Sequence, residues 1–301
     1  MAVTEEAVTF GPDGSLIGIL TRPDGVPTAD IACLIPNAGL VYRIGPRRVS
    51  VKLARSLGQG GWPTLRFDLA GVGDSKHVGD YAAPRERNLA DMREALDAIE
   101  RATGIRRFVI LGICSGAVNG FRTALADERV TGVLMYDGYW YRSRWTGFVR
   151  IAKRLVALRP GELWGGVTRR WRALRTPATE AAAPLNDLDV SNPPRDQFVA
   201  QVDRLVRRGV RLCFVYGGGV LQYYSYGDQF KDVFGAEAFF PHVRAMFRPG
   251  LDHMLSTGDA QRLMQSLVVD WMADVQAEQS PLAVPAPSAG AIEAKAGVSA
   301  Q

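Results

Sequence analysis

The sequence predicts an α/β protein: a mostly parallel central sheet with helices on both faces and an inserted helical lid. Three observations carry that prediction. Short apolar runs of four to seven residues alternate with segments whose apolar residues recur every three or four positions. The runs are apolar throughout rather than alternating, as in parallel strands covered on both faces. Finally, about 75 residues separate the runs ending at Tyr136 and starting at Leu212, far more than a plain crossover needs.

Taken in order, Thr9 to Thr21 reads as a hairpin around Gly11-Pro12-Asp13-Gly14. Ile31 to Ile35 is a buried strand ending at Pro36. Pro46 sits where a first helical residue can be. Val49, Leu53 and Leu57 continue that helix, and Gly58, Gly60 and Gly61 stop it. Thr64 to Phe67 is a further strand. Leu89, Met92, Leu96 and Ile99 mark one helical face before Gly104. Strands follow at Phe108–Leu111, Val130–Tyr136, Leu212–Tyr216 and Val243–Phe247, and Leu263, Leu267 and Trp271 mark a closing helix. The expected organisation is a core over 1–137 and 195–279, a lid over 138–194, and a disordered Ala/Pro/Ser/Gly-rich tail over 280–301.

Composition excludes several classes. The 301 residues are 47% hydrophobic and 22% charged, the balance of a globular protein. No run of 18 apolar residues exists, and the start MAVTEEAVTF has no basic and apolar leader. Three cysteines, Cys33, Cys114 and Cys213, do not make a disulfide framework, and no paired ligand spacing marks a metal site. No cofactor is expected, and a reducing cytoplasm is the expected compartment. The net charge of +5 is concentrated: ten Lys or Arg stand between Arg142 and Arg175 against the single acid Glu162.

The chemistry points to one turn. After Phe108–Leu111 comes Gly112-Ile113-Cys114-Ser115-Gly116-Ala117. A nucleophile elbow is G-x-nucleophile-x-G between a strand and a helix, with small neighbours two before and two after the strained residue. Gly112 and Gly116 flank Cys114; the equivalents for Ser115 are Ile113 and Ala117. The spacing selects the cysteine. The competing reading is a plain turn with a structural thiol, as expected of Cys33 and Cys213 inside apolar runs. At a helix N-terminus the local positive potential favours the thiolate, the attacking species.

On these residues the chain resembles the α/β-hydrolase superfamily over residues 5 to 275. Arg66-Phe67-Asp68-Leu69-Ala70-Gly71-Val72-Gly73-Asp74-Ser75 is similar to the F-D-x-x-G-x-G-x-S turn of its serine-aminopeptidase-like branch. Asn37-Ala38-Gly39-Leu40, then Ile44-Gly45-Pro46, resembles a bacterial subgroup with N-A-G in place of H-G. That subgroup carries G-x-C-S-G-A elbows and includes hydrolases linked to exopolysaccharide or exosortase gene sets. The cysteine elbow also resembles that of dienelactone hydrolase, from which the lid sets this chain apart. The resemblance implies an α/β-hydrolase fold and an order of nucleophile, acid, histidine.

Of the three histidines, His253 follows the last strand in Pro249-Gly250-Leu251-Asp252-His253 and is the expected base. His242 precedes the same strand, at the end of a parallel sheet where sites do not form. His77, in the loop after Thr64–Phe67, can reach the mouth of the cleft. The loop Tyr216–Tyr224 after the penultimate strand holds no carboxylate. The acid is therefore Asp137, ending the strand before it, or Asp228 downstream, or a Cys–His dyad works without one. Asp252 is expected to anchor its loop. Oxyanion donors are expected from the Ser115 amide and, by resemblance to the H-G-x position, from Gly39 or Leu40. Asp68 and Asp74 are expected to tie down their turn.

Residues 138–175 combine the basic cluster with Tyr139, Trp140, Tyr141, Trp145, Trp164 and Trp171. The segment reads as a lid with a solvated basic face, as a site for an anionic acyl donor such as a coenzyme A or carrier-protein thioester, or as a peripheral contact with an anionic membrane. No nucleic-acid motif accompanies it. The expected activity is hydrolysis of an ester or thioester through an acyl-cysteine. Acyl transfer through the same intermediate and a non-catalytic binding module are the alternatives.

Overall fold

The computed structural model describes residues 2–25, 29–77, 83–149, 191–220 and 224–279. Most of the expected lid and the whole expected tail lie outside them. Within them the chain runs β1 (Val3–Phe10), β2 (Leu16–Pro23), β3 (Ile31–Pro36), α1 (Val49–Gln59), β4 (Thr64–Phe67), α2 (Pro84–Thr103), β5 (Arg107–Ile113), α3 (Ser115–Ala126), β6 (Val130–Tyr136), α4 (Arg195–Arg207), β7 (Arg211–Gly217), α5 (Gln229–Phe234), β8 (Val243–Arg248) and α6 (Gly258–Gln279).

The eight strands form one sheet in the order β1-β2-β4-β3-β5-β6-β7-β8. β1 and β2 are an antiparallel hairpin, and β2 joins β4 antiparallel. From β4 to β8 every pairing is parallel. Apolar side chains on both sides of a parallel sheet need a cover on both sides. Two separate clusters supply it. One gathers Met92 and Leu96 of α2, Phe121 of α3 and Phe198 and Val202 of α4 over one face. The other gathers Leu53 and Leu57 of α1 and Met264, Val268 and Trp271 of α6 over the opposite face. Cys33 and Cys213 lie fully buried in that second cluster, and burial pushes both thiols up, Cys213 to about 12.

One expectation needs correction. Pro46 opens a 3₁₀ turn, Pro46–Arg48, and not the helix, which starts at Val49. Ser50 packs where a β-carbon of Gly45 would stand, and Arg47 and Arg48 both have positive φ. The chain turns too sharply there for a helix to begin at the proline.

The turn after β4 is held by a buried ion pair. The Asp68 side chain is completely buried and receives both the backbone N–H and the guanidinium of Arg43, which also pairs with Asp74. The Asp68 carbonyl accepts the Ser75 hydroxyl at 2.8 Å, and that hydroxyl accepts the Ile17 amide at 2.9 Å. Both acids thus fasten their turn, and Arg43 ties it to the loop after β3. Removing one partner of a buried pair leaves an uncompensated charge. Arg43→Ala is expected to cost about 3 kcal/mol in urea unfolding, the low end for such pairs because Arg43 is 15% exposed. Arg22→Ala breaks only the exposed pair with Glu6 and is expected to cost less than about 1 kcal/mol.

Candidate active site

The C-terminal ends of parallel strands are where α/β sheets place ligands. Five segments meet there: the loop after β3, the β5–α3 turn, Asp137 after β6, the glycines after β7 and the loop after β8. Cys114 stands between β5 and α3 with φ 53° and ψ −118°. That conformation is strained for a residue with a side chain, at a cost of about 1–3 kcal/mol. The flanking glycines make it possible. A β-carbon on Gly112 would overlap the backbone of Ala117, and one on Gly116 would come within 2.9 Å of the Asn37 carbonyl. The Cys114 amide donates to the Tyr136 carbonyl at 2.9 Å, which locks the turn to β6. Cys114 is partly exposed, unlike Cys33 and Cys213. Ser115, the neighbouring hydroxyl, is buried.

His253 meets Asp137. Its Nδ1 lies 2.9 Å from Asp137 Oδ2, while Asp137 Oδ1 accepts the Gly217 amide at 2.8 Å. Asp137 itself has φ 47°, and its side chain is fully buried. The residue before each partner repeats the contact: the Tyr136 hydroxyl donates to the Asp252 carbonyl at 2.7 Å. The Asp252 carboxylate accepts the Met254 and Ser256 amides, so it anchors the loop. Hydrogen bonding to Asp137, then contact with Cys114, pushes the His253 pKa up to about 10 against the opposing effect of burial. The arrangement favours an imidazolium between Asp137 and Cys114.

The structure leaves the other candidates apart from this pair. Asp228 is exposed at the start of α5, where its carbonyl accepts the Asp232 amide. His242 sits before β8, at the opposite end of the sheet. His77 lines a cavity beside the elbow. The Gly39 amide donates to the Ser115 hydroxyl at 2.6 Å, so that hydroxyl holds the loop after β3. The Asn37 side chain braces the same loop, donating to the Gly39 carbonyl at 2.6 Å and accepting the Leu69 amide at 3.0 Å. Among the described residues, the Ser115 and Leu40 amides have no backbone acceptor. No group of three or more metal-type ligands gathers among the described residues.

Sequence reasoning missed two supports. The sequence gives the Gly217-Gly218-Gly219 run no role of its own. β-carbons there would collide with the Tyr136 hydroxyl and with the backbone of Pro249, Leu251 and His253. The glycines let the histidine loop close onto β7. The Gly39–Ser115 contact spans 76 positions and has no local signature.

The α/β hydrolase fold family matches residues 42–165. No curated protein matches the chain in sequence. Solved structures match over nearly the whole chain. An esterase from Pyrococcus furiosus covers 91% of both chains at 14% identity, with a TM-score of 0.57. Dienelactone hydrolase from Anabaena variabilis matches 91% of this chain and 99% of its own at 15% identity and TM-score 0.56. Proline iminopeptidase from Mycobacterium smegmatis matches 91% and 99% at 14% identity and TM-score 0.53. The chain therefore has the α/β-hydrolase fold.

A raised histidine pKa adds stability that is complete below the unfolded value of 6.5 and is lost as pH climbs through about 10. In urea unfolding across that window, the advantage of the natural protein over His253→Gln is expected to shrink steadily with rising pH. An advantage that grows with pH would contradict an imidazolium held by Asp137.

Proposed function

We propose that the protein is an acyl hydrolase in which Cys114 is the nucleophile, His253 the acid and base, and Asp137 the carboxylate that orients the imidazole. The observation that carries this reading is the 2.9 Å contact between His253 and Asp137 at the mouth of a strained, glycine-flanked cysteine turn. The fold and its esterase and hydrolase neighbours support a hydrolase-type enzyme; the cysteine role is the inference.

The chemistry follows from the arrangement. With the thiol proton held on His253, the Cys114 thiolate attacks the carbonyl carbon of an ester or thioester; an S–C bond forms as the carbonyl π pair moves onto oxygen. The tetrahedral oxyanion is met by the Ser115 amide and by the Leu40 amide, with Gly39 held in place by the Ser115 hydroxyl. Collapse breaks the bond to the leaving group, which takes the imidazolium proton. Water then gives a proton to His253 as it attacks the thioester, and the thiolate leaves. Asp137 fixes the tautomer and stabilises the imidazolium throughout. A thiol depends on such help less than an alcohol, because its own pKa lies nearer neutrality. An acyltransferase would form the same acyl-cysteine and release it to an alcohol or amine instead of water.

The test is mass spectrometry of the protein quenched during turnover of p-nitrophenyl acetate, with and without an added alcohol or amine. An acyl group on the Cys114 peptide is expected. Cys114→Ala is expected to abolish both adduct and turnover, and retained turnover would defeat the assignment. Asp137→Asn is expected to lower kcat/KM about 10²-fold, whereas Asp228→Asn stays within about twofold, as surface changes do. The reverse order would move the acid to Asp228.

A further inference from the structure

Beside the elbow, towards α2, lies a cavity of about 210 Å³, of which the mechanism above uses only the edge at Ser115 and Leu40. Ser115 and Gly39 form its inner wall; His77, Arg87, Asn88 and Asn119 also line it. Ser115 and Asn119 stand one turn apart on the same face of α3. Asn119 is only 6% exposed and lines the cavity, and among the described residues its carboxamide makes no hydrogen bond. Arg87 Nε is buried without a partner. A buried donor without an acceptor is costly, most of all on a cation.

The neighbouring acid does not satisfy Arg87. Asp91, one turn further along α2, accepts the Ala70 amide at 2.8 Å, and burial pushes its pKa up to about 6. The other arginine with a buried, open Nε, Arg66, differs in being paired with Glu5 through its terminal nitrogen. Arg87 has no such pair among the described residues. The cavity thus offers a guanidinium, two carboxamides and an imidazole, a set rich in donors. Its natural occupant is a group that only accepts and carries negative charge. Pockets for whole small molecules run to about 300–1,000 Å³, so this one takes an arm of a ligand. Leu69 and Val72 in its wall give apolar contact for a short methylene chain.

We propose that this cavity is an acyl-side subsite for a free carboxylate, so that the preferred substrates are half-esters or half-thioesters of short dicarboxylic acids. The placement follows from Ser115 and Gly39, whose backbone borders both the cavity and the place where the acyl carbonyl would sit. The proposal rests on the acyl-hydrolase reading for its consequence, though the binding of the carboxylate stands apart from it.

The test compares p-nitrophenyl hemiglutarate with p-nitrophenyl pentanoate, and follows glutarate binding by calorimetry. The kcat/KM ratio of the first ester over the second is expected to favour hemiglutarate. Arg87→Gln is expected to lower the ratio about 10- to 100-fold, the scale of a charged hydrogen bond. Arg87→Lys keeps part of it, and Asn119→Ala lowers it by less. A ratio unchanged by Arg87→Gln overturns the proposal while leaving the hydrolase reading intact. Inorganic phosphate that binds as tightly as glutarate and competes with it marks an unselective anion site and also overturns the proposal. If the protein cleaves neither ester, the hydrolase reading fails. Calorimetry then decides the subsite alone: glutarate binding lost in Arg87→Gln supports it, and no binding overturns it.

Discussion

The structure turns on a contact between two dipeptides far apart in the chain. Tyr136-Asp137 leaves β6, and Asp252-His253 sits in the loop after β8. The tyrosine hydroxyl holds the aspartate carbonyl, and the aspartate carboxylate holds the histidine ring. Both bonds span 116 positions. Everything else at this end of the sheet accommodates them. Asp137 accepts a positive φ to present its carboxylate, the Gly217 amide takes the second oxygen, and the glycines after β7 leave room for the histidine loop to descend.

The elbow and this contact are two halves of one device. Strain at Cys114 lifts the thiol out of the sheet, and the Cys114 amide is itself held by the carbonyl of Tyr136. Residues 136 and 137 therefore fix Cys114 and His253 together. On the other side, the Ser115 hydroxyl fixes the loop after β3 through Gly39, and Asn37 ties that loop to the turn after β4. Arg43 ties the same two loops a second time through Asp68. The site is thus built from rigid strand ends whose loops are cross-braced, which is what preorganised donors require.

Much of this geometry is legible in the sequence, and what is legible has a physical cause. Local geometry writes itself into spacing: Gly112 and Gly116 around Cys114 record a close backbone approach, and an apolar run of strand length records a sheet buried on both faces. His253 was legible from its place after the last strand. Spacing does not choose the carboxylate, because Asp137 and Asp228 both lie between Cys114 and His253 in the chain; the sheet order puts Asp137 beside His253. Contacts made between distant segments left no pattern. The Arg43 bridge, the Tyr136–Asp252 bond and the unpartnered Nε of Arg87 are properties of packing. The helix start was misplaced at Pro46 for a similar reason, since Ser50 packing against Gly45 forces the turn that delays it.

The central claim is that Cys114 is a thiol activated by His253. Its most direct measurement is the rate of alkylation by limiting iodoacetamide at neutral pH, mapped by peptide mass spectrometry in the natural protein and in His253→Ala. Fast labelling confined to Cys114 and slowed in the variant is the predicted result, with Cys33 and Cys213 protected by burial. Slow labelling indifferent to His253 would make Cys114 a structural thiol and contradict the account.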